Sequence, residues 1–210
     1  MKHELQSILS GKSEVRFGAA IQAISRYLRE SPQTSTTAKS SKHYKKQETE
    51  IIKQYISENN LWISDIDFSQ YISEGAEQKV YLKDKRHVIK LNDAIYYNSW
   101  EDYLYNLLLH NYFFPDTAYE LLGFTKDDKG VLYAVVKQAF VTISQTTNLQ
   151  YVKDFLIRNH FSNIRNNDYI NTEIGIILED LHDENVLTQN GVLYFIDTVF
   201  YLTENFWEKE

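Results

Sequence analysis

The dipeptide Asn190-Gly191 separates two short apolar runs near the end of the chain, "NVLTQ" and "VLYFID". An Asn-Gly pair supplies the two positive φ angles of a type I′ turn, which is a common two-residue connection in a β-hairpin. Counting back from this turn places Asn185 opposite Ile196 on the neighbouring strand. The turn therefore predicts that Asn185 and Asp197 lie side by side, although twelve positions separate them in the sequence.

Asp180 adds a third oxygen-bearing side chain just before this hairpin, in the loop "DLHDEN". Mg²⁺ prefers a few carboxylate or amide oxygens together with waters and phosphate oxygens, so Asn185 and Asp197 are candidate metal ligands. Asp180 is then left to accept a proton from a hydroxyl nucleophile. An Asp, an Asn five positions later and a following metal-binding Asp form the pattern of phosphoryl-transfer sites. His182 is open to two interpretations, a structural hydrogen bond, which we favour, and a proton shuttle.

Upstream of this loop, the apolar pattern alternates between strand and helix periods. The runs "FSQYI", "KVYLK" and "HVIKL" predict three strands, and "SWEDYLYNLLLHNYF" predicts a helix. Ser99 is the expected N-cap of this helix, and Trp100, Leu104, Leu107 and Leu108 form one apolar stripe along it. A second hairpin follows in "YELLGFT" and "VLYAVVKQAFV", then a helix in "NLQYVKDFLIRNHF", and short strands to the end. The fold class is thus α+β, with an antiparallel sheet plus one helix over about residues 60–141 and a reduced second lobe over about 142–210.

Residues 1–46 are interpreted as a separate N-terminal segment, and residues 47–210 as the compact domain. Apolar residues from Phe17 to Leu28 recur at helical spacing. The stretch "SPQTSTTAKSSKHYKK" that follows is basic and rich in Ser and Thr, which predicts a linker. Two interpretations of it stay open: a solvated tether, which we favour, and a surface that contacts nucleic acid or an acidic partner.

The composition excludes several classes of function. The chain has no cysteine, so disulfides and thiolate metal sites are excluded, and a reducing, cytoplasmic location is expected. The net charge of −7 makes nucleic acid an unlikely main partner. No apolar run is long enough to span a bilayer, and the N-terminus lacks the pattern of a signal peptide.

The motifs "EGAEQKVYL", "VIK", "DLHDENVL" and "YFID" together resemble the protein-kinase-like superfamily. The catalytic loop is similar to that of aminoglycoside phosphotransferases and choline kinases. The whole pattern, over about residues 60–202, most resembles the compact polyvalent protein kinase family of bacterial mobile elements and phages. That resemblance implies a kinase-like fold, ATP and Mg²⁺ as cofactors, and a hydroxyl-bearing acceptor, which could be a protein. The acceptor itself and the oligomeric state are left open.

The resemblance also implies roles for particular residues. Lys90 would contact the phosphates and Glu101 would hold Lys90, while Asp180 would be the catalytic base. The turn after the first strand would cover the phosphates, and the segment after the fifth strand would contact adenine through its backbone. The implied site residues are catalytic Asp180, Lys90 and Glu101, nucleotide-binding Gly75, Ala76, Lys90, Gln138, Ala139 and Phe140, and metal-binding Asn185 and Asp197.

Three departures from the kinase pattern define the alternatives. Only Gly75 remains of the glycine-rich loop, Leu178-Glu179-Asp180 replaces His-Arg-Asp, and Asp197-Thr198-Val199 replaces Asp-Phe-Gly. We expect activation-loop control to be absent and the usual peptide-docking platform to be absent or replaced. An active phosphotransferase is the favoured function. A catalytically silent kinase-like module that binds nucleotide or a partner is the alternative, and a nucleic-acid-associated factor acting through the linker is the least favoured.

Overall fold

A computed structural model describes residues 1–31, 41–75 and 78–208, and it confirms the α+β architecture. Its helices are α1 (Lys2–Leu9), α2 (Gly18–Glu30), α3 (Ser41–Glu58), α4 (Trp100–Phe113) and α5 (Leu149–Arg158). Its strands are β1 (Tyr71–Glu74), β2 (Gln78–Asp84), β3 (His87–Asn92), β4 (Glu120–Lys126), β5 (Leu132–Ala139), β6 (Ser162–Arg165), β7 (Asp168–Asn171), β8 (Ile176–Glu179), β9 (Val186–Gln189), β10 (Val192–Phe195) and β11 (Val199–Leu202). Short 3-10 turns occupy Phe68–Gln70, Pro115–Thr117 and Glu204–Trp207.

The first five strands form one antiparallel sheet in the order β1-β2-β3-β5-β4. Strand β3 lies at its centre, and every residue from Val88 to Asn92 is buried because both faces of the strand are covered. Successive side chains of a strand point to opposite faces. Ile89 and Leu91 therefore join a small apolar cluster on one face, while Lys90 points to the other face, toward the C-terminal part of the chain.

Helix α4 packs against that second face of the sheet. It begins as predicted, since Ser99 Oγ accepts a hydrogen bond from the Asp102 N–H at 2.9 Å and caps the first turn. Its residues from Tyr103 to Asn111 are all buried. A helix that is buried all round must have partners on every side, and the sequence pattern predicted such a partner on one side only.

The second partner of α4 is the N-terminal segment. The unpredicted helix α1 and the predicted helix α2 both contact α4 and place their apolar side chains in the main core. Leu5, Ile8, Ile21, Ile24 and Leu28 are each at most 2 % exposed. Burying one such side chain stabilises a fold by roughly 1.5–3 kcal/mol, so residues 1–30 form part of the same core as α4.

Helix α3 begins inside the stretch that the sequence analysis interpreted as a linker. It begins at Ser41, so residues 41–46 are helical and the predicted linker is shorter than expected. Residues 32–40 of that linker lie outside the described residues. Lys45 donates hydrogen bonds to the carbonyls of Ala94 and Tyr97, the latter at 3.1 Å. This basic side chain therefore has a structural contact just before α4.

The C-terminal part contains a sheet in the order β11-β8-β7-β6 and the separate hairpin β9–β10. The hairpin has the predicted register, with Gln189 opposite Val192 and Val186 opposite Phe195. Strands β6 and β11 were not predicted. In β6, all four residues are exposed, so the apolar alternation that identifies a strand is missing. No helix in the described ranges has the length and apolar character needed to cross a membrane.

Candidate active site

Asp180 follows directly after β8 and has a left-handed backbone conformation, with φ of +64°. Such a conformation is uncommon outside glycine, and it is often found at functional sites. The Asp180 N–H donates to Asp168 Oδ1 at 3.1 Å, which supports the turn. The side chain is 57 % exposed, so its carboxylate is accessible to a substrate.

The side chains of the loop orient this carboxylate. Asn185 Nδ2 donates to the Asp180 carbonyl at 2.8 Å and to Asp180 Oδ2 at 2.9 Å. His182 Nδ1 accepts from the Glu184 N–H at 3.2 Å, and its Nε2 lies 3.1 Å from Asn185 Nδ2. His182 Nε2 lies 3.4 Å from Asp180 Oδ1. These contacts favour the structural interpretation of His182, which lies beside one carboxylate oxygen of Asp180 while Asn185 donates to the other.

The hairpin brings Asn185 and Asp197 together as the Asn-Gly turn predicted. The Asn185 carbonyl accepts from the Ile196 N–H at 2.9 Å and from the Asp197 N–H at 3.3 Å. Asn185 is buried, and the Asp197 side chain is 24 % exposed. Burial raises the pKa of Asp197, an effect that the nearby Lys90 ammonium opposes. Both donors of the Asn185 amide are directed at Asp180, which leaves its Oδ1 as the group that could bind a cation.

Lys90 reaches the same place from the centre of the large sheet. Its side chain is only 4 % exposed, and its Nζ donates to the Ile196 carbonyl at 2.8 Å. The same Nζ lies 3.9 Å from Asp197 Oδ2 and 5.5 Å from the centre of the Tyr119 ring. A buried lysine needs a compensating charge or hydrogen bonds. Lys90 obtains a hydrogen bond from the Ile196 carbonyl and a compensating charge from Asp197.

The predicted pairing of Glu101 with Lys90 does not match the structure. Glu101 Oε1 lies 3.3 Å from Arg29 of α2 and accepts from the Tyr105 hydroxyl at 2.8 Å. Tyr103 and Asn106 border the small cavity that also contains Asp197. At 100° per residue, Glu101 lies about 160° around the helix from Tyr103. Glu101 thus faces the N-terminal helices, which the sequence had given no reason to place there.

Several buried polar residues that sequence analysis missed hold the Asp197 segment, which we define as residues 195–200. The Thr117 hydroxyl donates to the Phe195 carbonyl at 2.5 Å. The Tyr119 hydroxyl donates to the Ile196 carbonyl at 2.7 Å, so this one oxygen receives both Tyr119 and Lys90. A carbonyl with two lone pairs can accept two donors, and this one fixes the backbone immediately before Asp197.

Helix α4 holds the other half of the segment. His110 Nε2 lies 3.0 Å from the Thr117 carbonyl, which can only accept, so Nδ1 is left to accept from the Thr198 hydroxyl at 2.7 Å. Burial lowers the pKa of His110 to about 3, so the ring is neutral. Asn106 Oδ1 accepts from the Phe200 N–H at 2.9 Å. Asn106 and His110 are four positions apart in an otherwise apolar stretch of α4, and that spacing was the available sequence signal.

Apart from Lys90, the predicted nucleotide-binding residues lie in the β1–β2 turn and at the end of β5, and they differ in which of their groups already have hydrogen-bond partners. The Gly75 N–H donates to the Gln78 carbonyl at 2.9 Å and so closes the β1–β2 turn, while Ala76 lies outside the described residues. The buried Gln138 side chain donates to the Thr117 carbonyl at 2.7 Å. Ala139 pairs with the start of β3, and the Phe140 N–H donates to a carbonyl in the β2–β3 turn at 2.8 Å. The backbone contacts to adenine stay a prediction.

The donor set at Asp197 fits Mg²⁺ only as part of a nucleotide complex. One carboxylate and one amide oxygen are available, from Asp197 and Asn185. Within the described ranges, no group of three or more His, Cys, Asp or Glu side chains could hold a metal. Mg²⁺ characteristically uses one or two carboxylates together with waters and the phosphates of its substrate. The residues therefore fit a metal that arrives with ATP.

Comparison with known protein families identifies a match to a kinase family. A family model described as the serine/threonine/tyrosine kinase found in polyvalent proteins matches residues 45–204. The match covers α3 from residue 45 onward, the large sheet, α4 and every strand of the C-terminal part. No curated protein matches the chain.

Proposed function

The chain belongs to the serine/threonine/tyrosine kinase family found in polyvalent proteins, and we propose that it transfers the γ-phosphoryl group of ATP to a hydroxyl acceptor with Mg²⁺. The observation that carries this proposal is the convergence of four side chains from distant parts of the sequence. Lys90 lies beside Asp197, Asp197 is bonded through its backbone to Asn185, and Asn185 donates to Asp180.

In this proposal, Asp180 is the general base. Its exposed carboxylate accepts the proton of the acceptor hydroxyl as the acceptor oxygen bonds to the γ-phosphorus. The bond between that phosphorus and the β–γ bridging oxygen breaks, and ADP leaves. The amide of Asn185 fixes the carboxylate from one side and His182 from the other. Catalysis of phosphoryl transfer depends mainly on such positioning and on electrostatic stabilisation.

Lys90 and Asp197 supply the electrostatic part. The Lys90 ammonium is buried, so its charge is weakly screened and would act strongly on phosphate oxygens. Asp197 and Asn185 would hold Mg²⁺, which when bound neutralises charge on the phosphates. The hydrogen bonds to the Asp197 segment keep this carboxylate in place before the nucleotide binds.

The test is phosphoryl transfer by Asp180→Asn, measured on the protein itself and on added acceptors. We expect a loss of roughly 10²–10⁴ in rate, the usual scale for a positioned base. ATP affinity, measured by calorimetry with Mg²⁺, should change little. Asp183→Asn is the matched control, since Asp183 is an exposed carboxylate in the same loop. Full transfer activity in Asp180→Asn would show that Asp180 is not the base.

A second candidate function, a catalytically silent module that binds nucleotide, is favoured by two observations. Glu101 faces away from Lys90, and the Gly75 N–H is already used inside its own turn. Such a module predicts Mg²⁺-dependent ATP binding with neither transfer nor hydrolysis. Measuring binding and turnover on the same sample separates the two functions.

A further inference from the structure

Lys90 needs a partner that holds its ammonium in place. A lysine side chain is a flexible stem of four carbons, and a charge that stabilises a transition state is most effective when it is fixed in advance. The resemblance to kinases assigned this task to Glu101. In the structure, Glu101 Oε1 lies 3.3 Å from Arg29 and faces the N-terminal helices. Another residue therefore has to position Lys90.

Two features of Tyr119 fix the Lys90 ammonium. The centre of the Tyr119 ring lies 5.5 Å from Lys90 Nζ, which is within the range of a cation–π interaction. The Tyr119 hydroxyl donates to the Ile196 carbonyl at 2.7 Å, and Lys90 Nζ donates to the same oxygen at 2.8 Å. A buried hydrogen-bond network with satisfied groups is rigid. Tyr119 thus holds the ammonium directly and also holds the oxygen to which the ammonium is bonded.

Tyr119 is itself fixed by the C-terminal half of α4. The Tyr119 N–H donates to Asn111 Oδ1 at 2.7 Å, and the Tyr119 carbonyl accepts from Asn111 Nδ2 at 2.9 Å. These two bonds attach the backbone of Tyr119 to one buried side chain. The ring packs on His110, with 4.5 Å between the two ring centres. A side chain that is held by packing and by hydrogen bonds of this kind can orient another group precisely.

A phenol also suits this role by its charge. A carboxylate partner would neutralise part of the charge on Lys90, whereas a hydroxyl donates a hydrogen bond without carrying a charge. The buried ammonium therefore keeps its charge for Asp197 Oδ2, which lies 3.9 Å away, and for the phosphates of the proposed reaction.

We propose that Tyr119 is the positioning residue of Lys90, in place of Glu101. Helix α4 then acts on Lys90 through Asn111 and Tyr119, close to its C-terminal end, and its first turn takes no part. This inference rests on the proposed phosphoryl transfer. It assigns Tyr119 no contact of its own with ATP or with the acceptor.

The first variant is Tyr119→Phe, which keeps the ring and removes the hydroxyl. The Ile196 carbonyl retains Lys90 as a donor, so it is not left unpaired and the fold should stay intact. Tyr81→Phe is the matched control, because Tyr81 is also buried but belongs to the apolar cluster on the other face of the sheet. Thermal unfolding checks that both variants are folded.

Turnover of γ-labelled Mg²⁺-ATP is measured as phosphate released to water and as phosphate transferred to the protein itself, and the Kd for Mg²⁺-ATP is measured by calorimetry. We expect Tyr119→Phe to lower kcat about fivefold to tenfold, the scale of one lost hydrogen bond. The Kd should change less than about twofold, because a displaced Lys90 affects the transition state more than the bound nucleotide. Tyr81→Phe should change neither quantity by more than about twofold. A damaged fold would weaken binding together with turnover.

A double-mutant cycle with Lys90→Met identifies the residue through which Tyr119 acts. In the Lys90→Met background, Tyr119→Phe should change kcat less than about twofold, because the side chain that it positions is absent. An equal loss in both backgrounds would overturn the inference, since Tyr119 would then act on the Asp197 segment or on the fold.

The outcomes separate this inference from the proposed function. A loss of kcat in Tyr119→Phe that disappears in the Lys90→Met background supports the positioning role. Turnover that falls in Lys90→Met but is unchanged in Tyr119→Phe would overturn the inference and leave the phosphotransferase standing. Wild-type protein that binds Mg²⁺-ATP without any turnover would overturn the proposed function, and this inference with it.

Discussion

Glu48 of α3 is a buried carboxyl group at the start of α4. Its Oε2 accepts from the Trp100 N–H at 2.6 Å, while Oε1 has no hydrogen-bond partner among the described residues. Burial raises its pKa from 4.5 to about 8. The Trp100 N–H opposes that rise, and the nearby carboxylates of Glu101 and Asp102 add to it. Glu48 is therefore largely neutral at pH 7 in the folded protein.

The effect of Glu48 on folding stability at each pH follows from the linkage between protonation and folding. In the unfolded chain Glu48 ionises near 4.5, and in the folded chain near 8. Below pH 4.5 the group is protonated in both states, so its contribution to stability is fully present. As the pH rises toward 8, only the unfolded chain releases the proton, and stability falls by about 1.4 kcal/mol per pH unit. The loss is roughly 2–3 kcal/mol between pH 5 and 7, and up to about 5 kcal/mol above pH 8.

The perturbation is Glu48→Gln, which keeps an oxygen acceptor for Trp100 and removes the proton equilibrium. We expect the free energy of unfolding in urea to be similar for wild type and Glu48→Gln at pH 5. At pH 8.5 the variant should be more stable by several kcal/mol, because only the wild type has to ionise a buried carboxyl group.

The matched control is Glu50→Gln in the same helix, where the side chain is 63 % exposed. Its difference from wild type should stay within about 0.5 kcal/mol at every pH, as is usual for surface substitutions. A difference between Glu48→Gln and wild type that does not grow with pH would refute the reasoning. It would mean that the Glu48 carboxyl is solvated or paired in the folded protein.

Three further predictions concern the site and the sheet. Asp197→Asn should weaken Mg²⁺-dependent ATP binding about tenfold or more by calorimetry, because Asp197 is the one carboxylate that we assign to Mg²⁺. An unchanged Mg²⁺ dependence would contradict this assignment. Glu101→Gln should leave kcat/KM for phosphoryl transfer within about twofold, since the partly exposed ion pair of Glu101 with Arg29 is worth about 0–1 kcal/mol. Lys90→Met should lower kcat/KM by about 10² or more. Equal losses in the two variants would support a functional pairing of Glu101 with Lys90. Gly123→Ala should destabilise the fold by more than about 2 kcal/mol in urea, because φ is +155° and a Cβ would strike a backbone carbonyl; at Gly130, with φ of +80° and open space around it, the same change should cost about 1 kcal/mol.

Much of the candidate site followed from local sequence rules. Alternation of apolar residues located β2 to β5, and Ser99 marked the start of α4. The Asn-Gly turn set the register that joins Asn185 to Asp197. Lys90 was placed on the third predicted strand, and it lies on β3. These features depend on residues close in sequence, whose hydrogen bonds and side-chain directions repeat with a known period.

Other features were not predictable in this way. Helix α4 is apolar on nearly every side, so its sequence could not indicate which side would meet the sheet and which would meet α1 and α2. The hydrogen bonds to the Asp197 segment join residues that lie tens of positions apart. The open strand β6 has no apolar alternation from which to infer it.

The sequence by itself determined the order of α2, α4, α5 and most of the strands, the turn that brings Asn185 to Asp197, and the residue types of the candidate site. Only the tertiary structure decided that Glu101 contacts the N-terminal helices and that His110 and Tyr119 hold the Asp197 segment. The physical reason is that periodicity specifies which side chains share a face. Which face meets which partner is decided by the packing of segments that are remote in sequence.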